Sequence, residues 1–408
     1  MATRRHEFWW LGPLPRLRWD WAWAFIGSTL VVVLGVMLGR EYIPEGSRLV
    51  ANGRSTADAL VPSERMHSRG IETEGSLRRS VPAPAHSPSA YAMAVRGVQS
   101  IVGGPVERAA VLVSHASLLF AFLWLAVYTD SRHGARSPNA RSGALIAAGF
   151  FPASLFFHLG SSESLFLLIC LIGLGLIEGA KSPVWIACLF AIGLSMRLAG
   201  LALILPALIY AWQYGRGGWR SAGWVVLCLL LMLAGFLGYR DSTTGEPVVF
   251  GQGWAQPWPL LEPRSLGSEV VALLTLRPVW GGFDSTSSLH WGRFCASSVE
   301  AFFSIDAVGS VGFLLALVLT GWGAWKRILN RYEVAMAAGL LAIPYWVGGD
   351  NISMVSMARH VSVVAPIYPV AGVLLARCSP VGVAGIAGLL ATLMTFYAAR
   401  VASDRWIF

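Results

Sequence analysis

Eleven apolar runs decide what this chain can become. They lie at Trp21–Leu38, Ala109–Tyr128, Ala144–His158, Ser164–Ile177, Pro183–Leu194, Leu198–Trp212, Ala222–Leu237, Ala307–Trp325, Val334–Val347, Val361–Ala376 and Val381–Tyr397. A bilayer core of about 30 Å wants roughly 20 apolar residues per helix, so most of the runs span it or nearly do, with Ala144–His158 and Pro183–Leu194 short. Lipid supplies no hydrogen-bond partners, which makes helices the form such runs take. The expected fold is therefore an all-α polytopic membrane protein. Residues 1–38 hold a cytosolic N-terminus and first span, 39–108 a first outer loop, 109–237 a block of spans, 238–306 a second large outer loop, and 307–408 the C-terminal spans. Only 13% of residues are charged against 55% hydrophobic, and no soluble domain is visible.

Charge placement orients the bundle. Arg4, Arg5, Arg16 and Arg18 precede the first run, which is too long for a signal-peptide core and lacks a small-residue cleavage site, so it reads as an uncleaved span. With the N-terminus inside, the short inner loops hold Arg132, Arg136 and Arg141, then Lys181, Arg216 and Arg220, Lys326, Arg327 and Arg331, and Arg377. Each is basic. The net charge of +9 thus reflects topology and not a nucleic-acid partner. Of the five cysteines, Cys170, Cys188 and Cys228 lie inside apolar runs, which gives neither a disulfide framework nor a metal-ligand spacing.

This orientation gathers the unusual polar residues on the outer side. Asp58 and Glu64 fall in the first outer loop, His158 and Glu163 in the second, Arg197 at the third, Asp241 and Glu246 in the large loop, and Arg359 with His360 in the last. An ionisable group between apolar runs is costly unless it is paired or at work, and Pro152 and Gly160 flank the step that carries His158 and Glu163. The helix is expected to break there and turn back. Ser55–Ser89 is polar and Pro/Ser-rich and reads as an irregular excursion. Ser89–Val102 is expected to form a surface helix with Tyr91, Val95 and Val98 on one face. Gly251–Trp291, rich in Gly, Pro and Trp, suits an ordered interfacial loop able to cover a site.

Several of these segments carry a resemblance. Phe151-Pro-Ala-Ser-Leu-Phe-Phe157 followed by Ser162-Glu163-Ser164-Leu165-Phe166 is the most specific. In order come Arg197-Leu-Ala-Gly200-Leu201, Gly245-Glu-Pro-Val-Val-Phe250 leading to Trp254, Ser356-Met-Ala-Arg359, and Arg405-Trp406. With these matches across most of its length, the chain resembles the family of the GPI-anchor mannosyltransferase that adds the second mannose, with its bacterial relatives, within the GT-C superfamily of polytopic glycosyltransferases. In that family an Asp of the first outer loop, the catalytic base, follows a Trp and precedes aromatics and a Gly-Tyr. Here Met66–Glu74 resembles the end of that pattern, Asp58 is the nearest match and Glu64 the substitute, and the surrounding aromatics are missing. The family's Phe-Pro-Leu-Tyr-Pro segment is reduced to Ser87–Tyr91, and His360 stands where the family has Tyr. Trp19-Asp20 is a decoy, since it precedes the first span on the cytosolic side.

The resemblance implies a GT-C bundle of about eleven transmembrane or half-membrane helices and an inverting mannosyl transfer. The donor would be a polyprenyl-phosphate sugar and the acceptor a lipid or glycan outside the cytoplasm; in a bacterium the enzyme would sit in the inner membrane. Asp58 or Glu64 would take the acceptor proton, and His158, Glu163, Arg197, Arg359 and His360 would line the substrate site. Arginine suits a lipid phosphate because its planar fork binds two oxygens at once. No cofactor is named, and the part of a divalent metal stays open. Each residue also has a plainer reading. Asp58 sits in a charged, solvated loop; Glu163, with Ser161 and Ser162, begins a helix that an acid caps well; Arg197 and Arg359 sit where arginines snorkel to headgroups. Two other functions are weighed beside transfer: a GT-C relative that has lost turnover, given the eroded first-loop pattern, and a lipid or small-molecule transporter. Against the transporter, the chain shows no internal repeat, and its polar residues cluster at one surface.

Overall fold

Proline placement divides this chain as much as hydropathy does. The computed structural model describes residues 19–41, 90–214, 305–348 and 357–402, with 223, 225–227, 230 and 271 as isolated positions. In chain order the helices are α1 (Asp20–Glu41), α2 (Ala90–Val102), α3 (Val106–His133), α4 (Ala140–Phe150), α5 (Leu155–His158), α6 (Glu163–Glu178), α7 (Pro183–Met196), α8 (Ile204–Tyr214), α9 (Ile305–Trp325), α10 (Arg331–Gly348), α11 (Met357–Ser362), α12 (Ile367–Leu375) and α13 (Pro380–Ala402). Short 3-10 turns occupy Pro152–Ser154 and Leu198–Leu203, and no strand occurs among the described residues.

Asp20–Gly39, Val106–His133 and Pro380–Ala402 are long and apolar enough to cross a membrane, with mean hydropathies of 2.1, 2.1 and 1.8. A fourth crossing results if α4 and the bent segment Pro152–His158 count as one. The chain is thus an all-helical protein with three to four candidate spans among its described residues. Pro183–Met196, Ala199–Tyr214 and Gly309–Trp325 are apolar but shorter. The run 222–237 falls mostly outside the described residues, as do the first outer loop up to position 89 and the segment 238–304, apart from position 271.

Three expected runs are broken, and each break has a local cause. Ala144–His158 turns by 67° at Pro152, whose missing N–H cannot bond the preceding turn; Phe151 leaves the helix with φ −57° and ψ 134°. The expectation of a break there holds. Leu198–Trp212 begins instead with a 3-10 turn, because Arg197 is extended (φ −164°, ψ 155°) and Pro206 confines the α-helix to a start at Ile204. Val361–Ala376, read from sequence as one run, is two helices: Pro366 removes a donor and biases Ala365 away from helical geometry, so the chain turns between α11 and α12.

Small residues hold the helices close. α1 lies along α13, where a Cβ on Gly35 would stand 2.4 Å from the Thr395 carbonyl oxygen and one on Gly39 2.1 Å from that of Ala399. α4 and α12 approach at Gly143 and Gly372 in the same way. Backbone contact of this kind replaces the hydrophobic effect where the surroundings are as apolar as the core. Outward, α1 exposes Trp23, Leu30, Leu34 and Met37, and α13 exposes Val381 and Leu389, an apolar exterior suited to lipid. Inside, Leu118, Phe122 and Leu125 of α3 share one core with Phe166, Leu167 and Leu171 of α6 and Phe190 of α7.

One end of the bundle is tied by a polar lock. Arg132, at the C-terminal end of α3, pairs with Glu178 of α6 and donates to Glu333 of α10 at 3.0 Å and to the Ile328 carbonyl at 3.2 Å. Tyr128 donates to Glu333 at 2.5 Å, and Asn330 donates to Glu178 at 3.1 Å. Asn330 also caps α10, its side chain accepting from the N–H of Glu333 while the Glu333 carboxylate accepts from the Asn330 N–H at 2.6 Å, a reciprocal capping box. Nearby, Arg141 of α4 donates to Asp20 of α1 at 2.6 Å.

Candidate functional site

All three breaks deliver their polar residues to one place, at the end of α6 opposite the lock, about 22 Å along its axis from Glu178. Glu163 opens α6 and its side chain is fully buried (0%). Two guanidiniums converge on it. Arg359 of α11 donates its Nε–H to Oε1, and Arg197 sets Nη1 3.3 Å from the same oxygen as an ion pair without hydrogen-bond alignment. Arg197 Nη2 reaches Nδ1 of His360 at 3.1 Å, and its guanidinium stacks over the Phe166 ring, 5.5 Å from the centroid. Both cations thus come from segments that the helix breaks hold at the bundle end.

The pieces around the carboxylate are locally fixed. Ser164 donates to the Phe157 carbonyl at 2.5 Å and Ser161 to that of Phe156 at 3.1 Å, which ties the turn between α5 and α6. Ser114 of α3 donates to the Ser161 carbonyl at 2.8 Å and accepts from the Ser161 N–H at 3.1 Å. The Tyr91 hydroxyl of α2 lies 3.1 Å from both the Ala110 carbonyl and Ser114 Oγ. Burial pushes the Tyr91 phenol well above its ordinary range; the Ser114 hydrogen bond opposes that rise, Glu163 adds to it and Arg359 opposes it, so the hydroxyl keeps its proton. On the other side, Ser362 donates to the Arg359 carbonyl at 2.8 Å and Tyr368 donates to the Ser362 carbonyl, which anchors α11.

Two guanidiniums thus share one buried carboxylate oxygen in a poorly solvated setting. The arginines differ in exposure: the Arg197 side chain is 10% exposed and that of Arg359 41%. Arg197 is the inner, anchored cation, and Arg359 faces outward. Glu163 Oε2 and Arg197 Nη1 are buried and make no aligned hydrogen bond among the described residues. Chemically the arrangement suits an anion approaching from the Arg359 side, with the Glu163 carboxylate offsetting the repulsion between the two cations it holds together.

Of the residues singled out from sequence, Glu163, Arg197, Arg359 and His360 come together. His158 is buried (1%), but neither of its ring nitrogens has a hydrogen-bond partner, and its ring meets His115 of α3 edge-on with centroids 5.4 Å apart. Asp58, Glu64, Asp241, Glu246 and the Gly251–Trp291 loop lie outside the described residues. Among the described residues no three His, Cys, Asp or Glu side chains gather closely enough to hold a metal ion. Sequence reading missed Ser114, His115 and the role of Tyr91; the signal was Ser114-His115, a polar pair inside the apolar run Ala109–Tyr128. No family model, curated protein or solved structure matches this chain.

Proposed function

We propose that this chain is an integral membrane glycosyltransferase of GT-C type, with about eleven transmembrane or half-membrane helices, that transfers mannose with inversion from a polyprenyl-phosphate donor to a lipid or glycan acceptor outside the cytoplasm. The observation that carries the reading is the convergence of Arg197 and Arg359 on buried Glu163 at the end of a lipid-facing helical bundle. The resemblance of the segments holding these residues supports it further. A lipid-borne phosphate needs what this group offers: positive charge at a membrane-embedded protein end, planar forks for its oxygens, and helices beside which its tail can lie.

In the transfer, the acceptor oxygen attacks the anomeric carbon as the bond from that carbon to the phosphate oxygen breaks. The electron pair of that bond leaves on the phosphate, where charge grows. Arg359, the outward cation, binds the phosphate oxygens, and Arg197 behind it adds to the field that stabilises the leaving group. Glu163 holds both guanidiniums in register. The acceptor proton goes to a carboxylate base, for which Asp58 is the first candidate and Glu64 the second.

Purified protein in lipid nanodiscs, given radiolabelled polyprenyl-phosphate mannose and a lipid extract as acceptor, is expected to move label to the acceptor. Arg197→Lys and Asp58→Asn are expected to lower that transfer while the protein stays folded. Donor binding without transfer across a broad acceptor set would sink the transferase reading in favour of a relative that has lost turnover. Absence of donor binding, together with substrate flux in proteoliposomes, would replace it with a transporter.

A further inference from the structure

α2 is joined to the bundle in an unusual way. Gly103 (φ +73°), Gly104 (φ +85°) and Pro105 connect it to α3, and nothing lies within 4 Å of a Cβ built on either glycine. Left-handed geometry at two adjacent residues in open space makes this junction the natural pivot between the two helices. α2 then folds back along the first turns of α3, burying Tyr91, Ala92 and Val95. Tyr91 and Val95 form a small core of their own with Ala109, Ala110 and Val113, separate from the main one.

What this small core rests on matters. Leu165 and Met196 pack against it, one two residues after Glu163 and the other immediately before Arg197. α2 therefore lies across the segments that carry the buried carboxylate and its inner cation. One of its polar ties is the Tyr91 hydroxyl, which meets Ser114 and through it the backbone of Ser161, two residues before Glu163. Of the 13 residues of α2 only Tyr91, Ala92 and Val95 are buried, so its packing rests on few side chains.

We infer that α2 is a hinged strap over the Glu163 site, latched by the Tyr91 hydroxyl and turning on Gly103 and Gly104. Tyr91 is in this sense a positioning residue. When the latch is made, Ser114 holds the Ser161 turn and the strap covers Leu165 and Met196; when it is released, the flank of the site beside Arg197 opens. The inference rests on the proposed transferase reading only for what the strap guards, since opening itself needs no substrate.

The test uses the full chain in nanodiscs without substrate, and follows amide hydrogen exchange by mass spectrometry together with oxidation of Met196 by dilute peroxide. In the unmodified protein, peptides covering 90–102 should exchange at least tenfold faster than those of α6. Tyr91→Phe, which keeps the ring and removes the hydroxyl, should speed exchange in 90–102 and Met196 oxidation severalfold. Gly103→Ala should do the same, because alanine resists the positive φ that the docked strap requires. Met336, buried in the main core, should stay unreactive throughout. The strap is refuted by equal protection of α2 and α6 in all three proteins, or by Met336 oxidising in step with Met196, which marks global loosening. Adding a polyprenyl phosphate to the same samples separates the two proposals: no response of Arg359 peptides to the lipid counts against the transferase reading and leaves the strap result standing.

Discussion

The two ends of α6 carry glutamates of similar sequence setting and opposite fate. Glu178 belongs to a lock in which Arg132, Tyr128, Asn330 and Glu333 use one another's donors and acceptors, and in which Asn330 and Glu333 also cap α10. Glu163 belongs to a group in which two arginines, one with a side chain 41% exposed, share a single buried carboxylate oxygen. A buried polar network closed from solvent ties helices together, whereas one with a guanidinium open to solvent can also meet an anion. The lesson is that pairing alone does not separate scaffold from site. What separates them here is exposure, since the Arg359 side chain is 41% open and that of Arg132 20%.

The largest effect that can break this comparison is the removal of each buried acid. Glu163→Gln leaves two guanidiniums facing a neutral amide and should destabilise the protein by about 3–5 kcal/mol. It should also lower transfer per folded molecule on the order of 100-fold. Glu333→Gln should cost about 3 kcal/mol yet leave transfer per folded molecule within about twofold. Thermal unfolding in detergent, paired with transfer rates normalised to folded protein, reads both. Equal loss of transfer in the two variants would abolish the distinction between the ends.

Arginine substitutions sharpen it at a smaller scale. Arg359→Lys keeps a charge on a 41% exposed side chain, so stability should change by less than about 1 kcal/mol. Phosphate-lipid affinity should fall roughly tenfold as the fork is lost. Arg132→Lys gives the reverse pattern, about 2 kcal/mol less stable through lost charged hydrogen bonds, with lipid affinity unmoved. The smallest effect is expected at Asp20, whose carboxylate is 20% exposed and pairs with Arg141. Asp20→Asn should cost under about 1 kcal/mol and leave transfer intact, as a Trp-Asp pair outside the chemistry requires. A large loss of transfer there would bring the lock end into the mechanism.

Much of the scaffold was legible. The ends of α1, α3, α6 and α13 fall within a few residues of the apolar runs, because apolar length in lipid leaves little choice of form. The face of α2 that holds Tyr91 and Val95 was also readable from spacing, since burial repeats at 3.6 residues. What the sequence concealed is of two kinds. The split between α11 and α12 was hidden because hydropathy averages over Pro366, which costs the run nothing in apolar character while interrupting the helix. The lock was hidden because Arg132 reads as a positive-inside marker and Glu333 as an ordinary first-turn acid; only the meeting of three distant helix ends shows them as one network. At the site, Glu163, Arg197 and Arg359 were legible as costly charges beside apolar runs, whereas Ser114 gains meaning only from contact with Ser161, 47 positions away.

The seam between α1 and α13 sets a clock on biogenesis. Gly35 waits for Thr395, 360 positions later (395 − 35), before its close contact can form. At synthesis rates on the order of 5–20 residues per second that wait is roughly 20–70 s. Until then the small-residue groove of α1 faces lipid or an insertion factor, while α3, α4, α6 and α7, nearer in sequence, can already assemble. Of the described helices, the one made latest, α13, thus shelters the one made earliest, α1, and a ribosome that stalls before residue 380 releases a chain whose α1 groove stays open to other small-residue helices in the same membrane.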